Sequence, residues 1–145
     1  MEIKDKSLKE LETLSQEIRD RIIDVVSRKG GHFSSTLGAV ELTLGMHYVF
    51  DAYSDPFIFD VSHQCYPHKL LTGRWEEFET VRQFGGLSGF TKPNESPADY
   101  FVAGHSSTSI SLAVGAAKAI ALKKEDRVPI VNDFPPPVGI NAKVS

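Results

Sequence analysis

The chain has 145 residues, 41% of them hydrophobic and 24% charged, with a formal net charge of -3 at pH 7. That length holds one domain, or a piece of one, with a modest core. The acidic balance, with a pI near 5.9, argues against nucleic acid as the main partner but leaves a small anion open.

Cys65 is the only cysteine, so no intramolecular disulfide can form. The charged start Met-Glu-Ile-Lys-Asp-Lys is no secretory signal core. No apolar run approaches the ~20 residues of a membrane span, and a cytoplasmic location with no membrane partner is expected.

Residues 8–28 are predicted as a helix, because Leu11, Leu14, Ile18, Ile22, Val25 and Val26 recur at helical spacing with charges between them. Gly30 and Gly31 stop it. A second helix is predicted from about Ser35 to Val49, capped by Ser34 or Ser35 and apolar nearly all round. Glu41 on that apolar helix asks for a cation, and Arg82 or Lys69 are the candidates. Pro56 to Val61 is a short apolar run bounded by turn residues, which suits a buried parallel strand.

Residues 63–72 then form a predicted short helix ending at Gly73, and residues 76–83 another. Phe84 to Phe90 is a glycine-rich loop without the Walker lysine or dinucleotide spacing, expected to be a flexible wall or lid. Thr91 to Asp99 is polar with two prolines and is predicted to be a surface loop. Residues 108–124 are small and apolar, a helix suited to close packing, and 128–131 begins another strand. Helices alternating with short buried strands make an α/β layer architecture, with helices packed on a short parallel sheet.

Three histidines sit where loops or strands are expected to turn into helices. They are His32 in Gly30-Gly31-His32-Phe33-Ser34-Ser35, His63 in Asp60-Val61-Ser62-His63-Gln64, and His105 in Gly104-His105-Ser106-Ser107-Thr108-Ser109. Helix starts present unpaired N–H groups and partial positive charge, which suit phosphates and other anions. His63 also lies past the carboxyl end of a predicted strand, where open α/β sheets bind ligands. Each string also reads as an ordinary capped helix start, so residue chemistry alone leaves both readings open. The run His63-Gln64-Cys65-Tyr66-Pro67-His68 lacks zinc spacing, and no metal site is assigned to it.

Taken together, these strings resemble one family, 1-deoxy-D-xylulose-5-phosphate synthase, a thiamine-diphosphate enzyme related to transketolase. The resemblance is carried by residues 30–42, 60–73, 82–90 and 104–111 and is nearly continuous from about Leu8 to Val131. It implies a partial transketolase-like thiamine-diphosphate-binding domain over residues 1–131. It also implies that His63, Gly104, His105 and Ser106 contact the cofactor, and that His32, His63 and His105 line the catalytic pocket. The family condenses pyruvate with glyceraldehyde 3-phosphate and releases carbon dioxide, feeding isoprenoid, thiamine and pyridoxal phosphate synthesis. Its full-length members are expected to be homodimers. Imidazoles suit that chemistry, since their pKa lies near neutrality.

The family also implies magnesium bridging the diphosphate, held by hard oxygen donors. After Val131 the family continues with a Gly-Asp-Gly stretch that this chain lacks. Residues 132–145 read instead as a divergent proline-rich tail, resembling a family segment from beyond a deletion and placing Phe134 where a magnesium-binding asparagine belongs. On this reading the chain is a fragment of the enzyme, expected to be inactive alone and, with apolar faces uncovered, to self-associate or be partly ordered. The alternative is a non-catalytic remnant that binds a small anion or a protein.

Overall fold

The computed structural model describes residues 3–132; of the expected tail over 132–145 only Asn132 lies among them, as the last residue of a strand. Helix α1 spans Leu8–Lys29. Ser7 and Glu10 close a capping box at its start: the Glu10 carboxylate accepts from the Ser7 N–H at 2.8 Å and the Ser7 hydroxyl from the Glu10 N–H at 3.4 Å. At its other end the Gly30 N–H donates to the Val26 carbonyl, with Gly30 at φ 78°. The predicted apolar stripe faces inward, and Ile18, Ile22 and Val25 are completely buried. Each such side chain contributes about 1.5–3 kcal/mol relative to exposure.

The predicted second helix is two. α2 (Ser34–Gly38) and α3 (Val40–Val49) break at Ala39. Neither Ser34 nor Ser35 caps it; the residue at the cap is Phe33, and no side chain bonds the first turn. Glu41 pairs with neither Arg82 nor Lys69. It is clipped to α1, where Arg19 holds its carboxylate and the Ser15 hydroxyl donates to it at 2.6 Å. Arg19 also donates to the Leu37 carbonyl at 2.7 Å, so one guanidinium ties α1 to both short helices. Residues 19 and 41 are far apart in sequence, and only the crossing of α1 over α3 makes them neighbours.

Strands β1 (Phe57–Phe59) and β2 (Ile130–Asn132) pair in parallel, with Phe57 opposite Ile130 and Phe59 opposite Asn132. All three β1 residues are buried, as the apolar run predicts. The predicted helix over 63–72 divides into a 3-10 turn, Ser62–Gln64, and α4 (Tyr66–Leu71), every residue of which is buried. The predicted helix over 76–83 is a single 3-10 turn, Glu77–Thr80. α5 (Ser109–Lys123) follows a long connection and packs on both strands. Its expected close packing is not met: Ile110, Val114 and Leu122 are all more than half exposed.

The segment 91–99 is a loop as expected, but it lies at the surface only in part: Lys92, Pro93, Asn94 and Pro97 are exposed. Thr91, Ser96, Ala98 and Asp99 are buried. Polar composition misled because these side chains are hydrogen-bonded inside, and a buried polar group that finds its partners carries little cost. Arg74 holds the Asp99 carboxylate with two bonds, at 2.8 and 2.9 Å. His68 Nε2 lies 3.0 Å from the same carboxylate and the Lys92 N–H donates to it at 2.8 Å. Lys69, fully buried, pairs with Glu95, whose other oxygen accepts from the Ser88 N–H at 2.6 Å. Two cations and two carboxylates are thus packed under α4 in charge balance.

Candidate active-site rim

His32 follows the double glycine in a loop, His63 is the middle residue of the 3-10 turn, and His105 lies in a turn four residues before α5. The helix-start picture holds in part: His32 lies two residues before α2 and His63 is inside a short 3-10 helix ahead of α4, whereas His105 stands four residues short of α5, and no side chain caps any of these starts. Thr108 illustrates this: its hydroxyl donates back to the His105 carbonyl at 2.9 Å and caps nothing.

The tertiary fold nevertheless brings the corners together. The His32 and His63 rings lie 4.4 Å apart, tilted by 47°. Gly31 makes this approach possible. Its φ of 153° is rarely adopted by L side chains, and a Cβ there would sit 3.0 Å from the Tyr66 hydroxyl. Tyr66 opens α4 just after the His63 turn, so the glycine docks one corner directly on the other. The Thr36 hydroxyl adds a second tie, donating to the His63 carbonyl at 3.2 Å.

The third corner is held through Ser62. Its N–H and its hydroxyl both donate to the Ala103 carbonyl, at 2.7 and 2.9 Å. Gly104 and His105 follow immediately. An added Cβ at Gly104 would meet nothing within 4 Å. A cavity of about 390 Å³ opens there, lined among others by Gly104, His105, Ser107 and Thr108. Ser106 is exposed and does not line it. Among the described residues, His105 makes no ring contact with the other two histidines.

Electrostatically, His63 differs from a surface imidazole. Burial, helped by the neighbouring His32, pushes its pKa down and favours the neutral ring. Its Nδ1 is buried without a hydrogen-bond partner among the described residues. Also buried and without a partner among the described residues are Asp60 Oδ1, the Ser109 hydroxyl and both amide atoms of Asn132. Asp60 and Asn132 are adjacent at the carboxyl end of the sheet, where the Asp60 N–H donates to the Asn132 carbonyl at 2.9 Å. Buried polar atoms without partners are uncommon; those of Asp60 and Asn132 lie at the carboxyl end of the sheet, where α/β folds bind ligands, while others, such as Arg21 Nε on α1 and Thr43 Oγ1 on α3, lie elsewhere. Val61 adds strain: a β-branched residue at φ 51°, directly between Asp60 and the His63 turn.

The family model described as 1-deoxy-D-xylulose-5-phosphate synthase matches residues 1–139. The chain belongs to the 1-deoxy-D-xylulose-5-phosphate synthase family. The synthase of Aliarcobacter butzleri is 90% identical over 131 residues, covering 90% of this chain and 22% of the relative. That of a Nitratiruptor species is 75% identical over 131 residues with the same coverage. That of Helicobacter hepaticus is 70% identical over 124 residues, covering 86% of this chain and 19% of the relative. The chain therefore spans about a fifth of the length of these synthases. The family is one of transferase enzymes, which favours the enzyme reading over the binding-module alternative.

Sequence reasoning named His32, His63, His105 and Gly104 but missed Thr36, Ser62 and Thr91, which hold them. Small hydroxyl side chains beside a histidine read as helix caps, and nothing in their spacing shows that their partners lie far away. The cysteine next to the site is inert by position. Cys65 is fully buried, and burial pushes its thiol up to about 12. In the native chain it is expected to react with an exposed-thiol reagent far more slowly than in the urea-unfolded chain; equal rates would contradict the burial.

Proposed function

We propose that this chain forms one side of the thiamine-diphosphate pocket of a 1-deoxy-D-xylulose-5-phosphate synthase, the enzyme that condenses pyruvate with glyceraldehyde 3-phosphate and releases carbon dioxide. The observation that carries this reading is the His32–His63 pair, with its ring contact at 4.4 Å and the unpartnered buried Nδ1 of His63. A buried ring nitrogen without a partner among the described residues fits a ligand that completes its hydrogen bonding. His63, Gly104, His105 and Ser106 would hold the cofactor, with His32, His63 and His105 at the reacting end. When bound, the cofactor supplies the electron sink, and the protein's part is placement and proton handling.

A neutral His63 can accept a proton at Nδ1. His32, 4.4 Å away, adds to burial in disfavouring a charge on His63. Magnesium does not fit the described residues: among them no group of three or more histidine, cysteine, aspartate or glutamate side chains is placed to hold a metal ion. No step is assigned to it. Among the described residues no helix is long and apolar enough to cross a membrane, and the proposed location is cytoplasmic. A homodimer is the proposed assembly of the longer synthases, and the 145-residue chain alone is not expected to turn over.

The test is calorimetric titration of the purified chain with thiamine diphosphate at saturating magnesium, beside a His63→Ala variant. Saturable heat from the unsubstituted chain is expected, with affinity at least about tenfold weaker in the variant, the effect of a lost hydrogen bond to a charged or buried partner. No saturable heat from the unsubstituted chain would sink the reading.

A further inference from the structure

We propose that Ser62 is a positioning residue: its buried hydroxyl sets where Gly104 and His105 stand relative to His63. Ser62 is fully buried. Its hydroxyl has one proton to give and gives it to the Ala103 carbonyl at 2.9 Å, 41 residues away in sequence. It accepts from the Thr91 N–H at 3.2 Å, a partner 29 residues away. A serine serving only its own turn would bond locally. This hydroxyl bonds two distant segments and no residue of its own turn.

The two segments are themselves locked together. The Thr91 hydroxyl donates to the Phe101 carbonyl at 2.6 Å. The next residue, Lys92, donates its N–H to Asp99, the carboxylate at the centre of the buried ion cluster. Residues 91–103 are therefore a closed loop, anchored at its base by Asp99 and Arg74. Ser62 is its only hydrogen-bonded link to the His63 turn among the described residues. The left-handed Val61 immediately before it fits this picture, since a strained β-branched residue persists only where its surroundings over-determine it. Replacing the hydroxyl by hydrogen would leave the Thr91 N–H without its acceptor. Only the backbone bond from the Ser62 N–H would then hold the His105 corner.

The functional consequence rests on the thiamine-diphosphate reading, whereas the placement itself does not, and the experiment separates them. Ser62→Ala, Ser62→Thr and Thr91→Val would be made in the 145-residue chain and compared below the melting temperature of each. The first readout is the nuclear magnetic resonance of the histidine rings. Ser62→Ala is expected to shift the His63 and His105 signals and leave that of His47, which lies on α3, in place. Thr91→Val, which removes the bond to Phe101, is expected to move His105. The second readout is the affinity for thiamine diphosphate with magnesium, expected to fall about tenfold in Ser62→Ala and to recover to within about twofold in Ser62→Thr.

If Ser62→Ala and Thr91→Val lower the melting temperature yet leave the His63 and His105 signals unchanged, Ser62 is a structural residue and the proposal fails. Should Ser62→Ala not fold, Thr91→Val decides by the same signals. If the unsubstituted chain binds no thiamine diphosphate, the functional reading fails and the ring signals alone decide the placement.

Discussion

Asp99→Asn is expected to destabilise the chain by about 3–5 kcal/mol, the cost of removing one partner from a buried ion cluster. The Asp99 carboxylate is fully buried and accepts from Arg74 twice, from His68 and from the Lys92 N–H. Burial alone would raise its pKa, but the bonds from His68 and Arg74 outweigh that and hold it well below the usual carboxylate range. Asparagine keeps the shape but not the charge. Among the described residues Lys69 and Arg74 would then share Glu95 as their sole nearby anion, and the new amide N–H groups would face a guanidinium that has only donors. For a domain whose net stability is of order 5–15 kcal/mol, that loss is a large fraction of the whole. Urea denaturation followed by circular dichroism measures it. A penalty under about 1 kcal/mol, the range of surface ion pairs, would show that the cluster is solvated and not a buried anchor.

The second large effect is a loss of stability on mild acidification, driven by His47 and His68. Their rings are linked, with His47 Nε2 2.9 Å from His68 Nδ1 and His68 Nε2 3.0 Å from Asp99. The arrangement is satisfied when both rings are neutral: His68 gives its one proton to Asp99 and accepts from His47. Burial is the main cause that pushes both pKa values down, and Asp99 only partly offsets it at His68. In the unfolded chain each ring takes up a proton as pH falls through about 6.5. The unfolded state then binds more protons than the folded one, so stability falls with falling pH below that point.

Each group contributes up to about 1.4 kcal/mol per pH unit, so moving from about pH 7 to about pH 5.5 is expected to cost about 2–3 kcal/mol for the pair. Asp99 acts in the same direction at lower pH, because its depressed pKa makes its contribution vanish as pH falls through the folded value. Denaturation midpoints across this range test the expectation. His47→Gln keeps a donor for His68 but cannot take up a proton, and should reduce the slope while leaving the part carried by His68 and the part-buried His63. A midpoint independent of pH, or a variant with an unchanged slope, would show that these rings are not held neutral.

Both predictions come from residues that were the least legible in sequence. His68 and Lys69 lie in a segment whose apolar neighbours mark it as a short helix, yet nothing local says that the helix is buried on every side. Asp99 and Glu95 sit in a polar, proline-bearing stretch that reads as surface. The error has one cause: polarity predicts exposure only when the polar groups lack partners inside, and partners 21 to 31 residues away are invisible to local pattern. Glu41 failed in the same way, finding Arg19 on α1 and neither of the cations nearer the site.

What the sequence determined by itself was local and repetitive. The stripe from Leu14 to Val26 specifies α1, because a 3.6-residue period leaves an apolar helix face one way to be buried. The strings around His32, His63 and His105 are long and specific enough to identify the family. The tertiary structure alone decided how those strings meet: Gly31 against Tyr66, the His32 ring against His63, and Ser62 bonded across to Ala103. Such contacts depend on chain crossings with loop-closure costs and shape fit that no local spacing encodes. The candidate site residues could therefore be named in advance, and the ones that hold them in place could not.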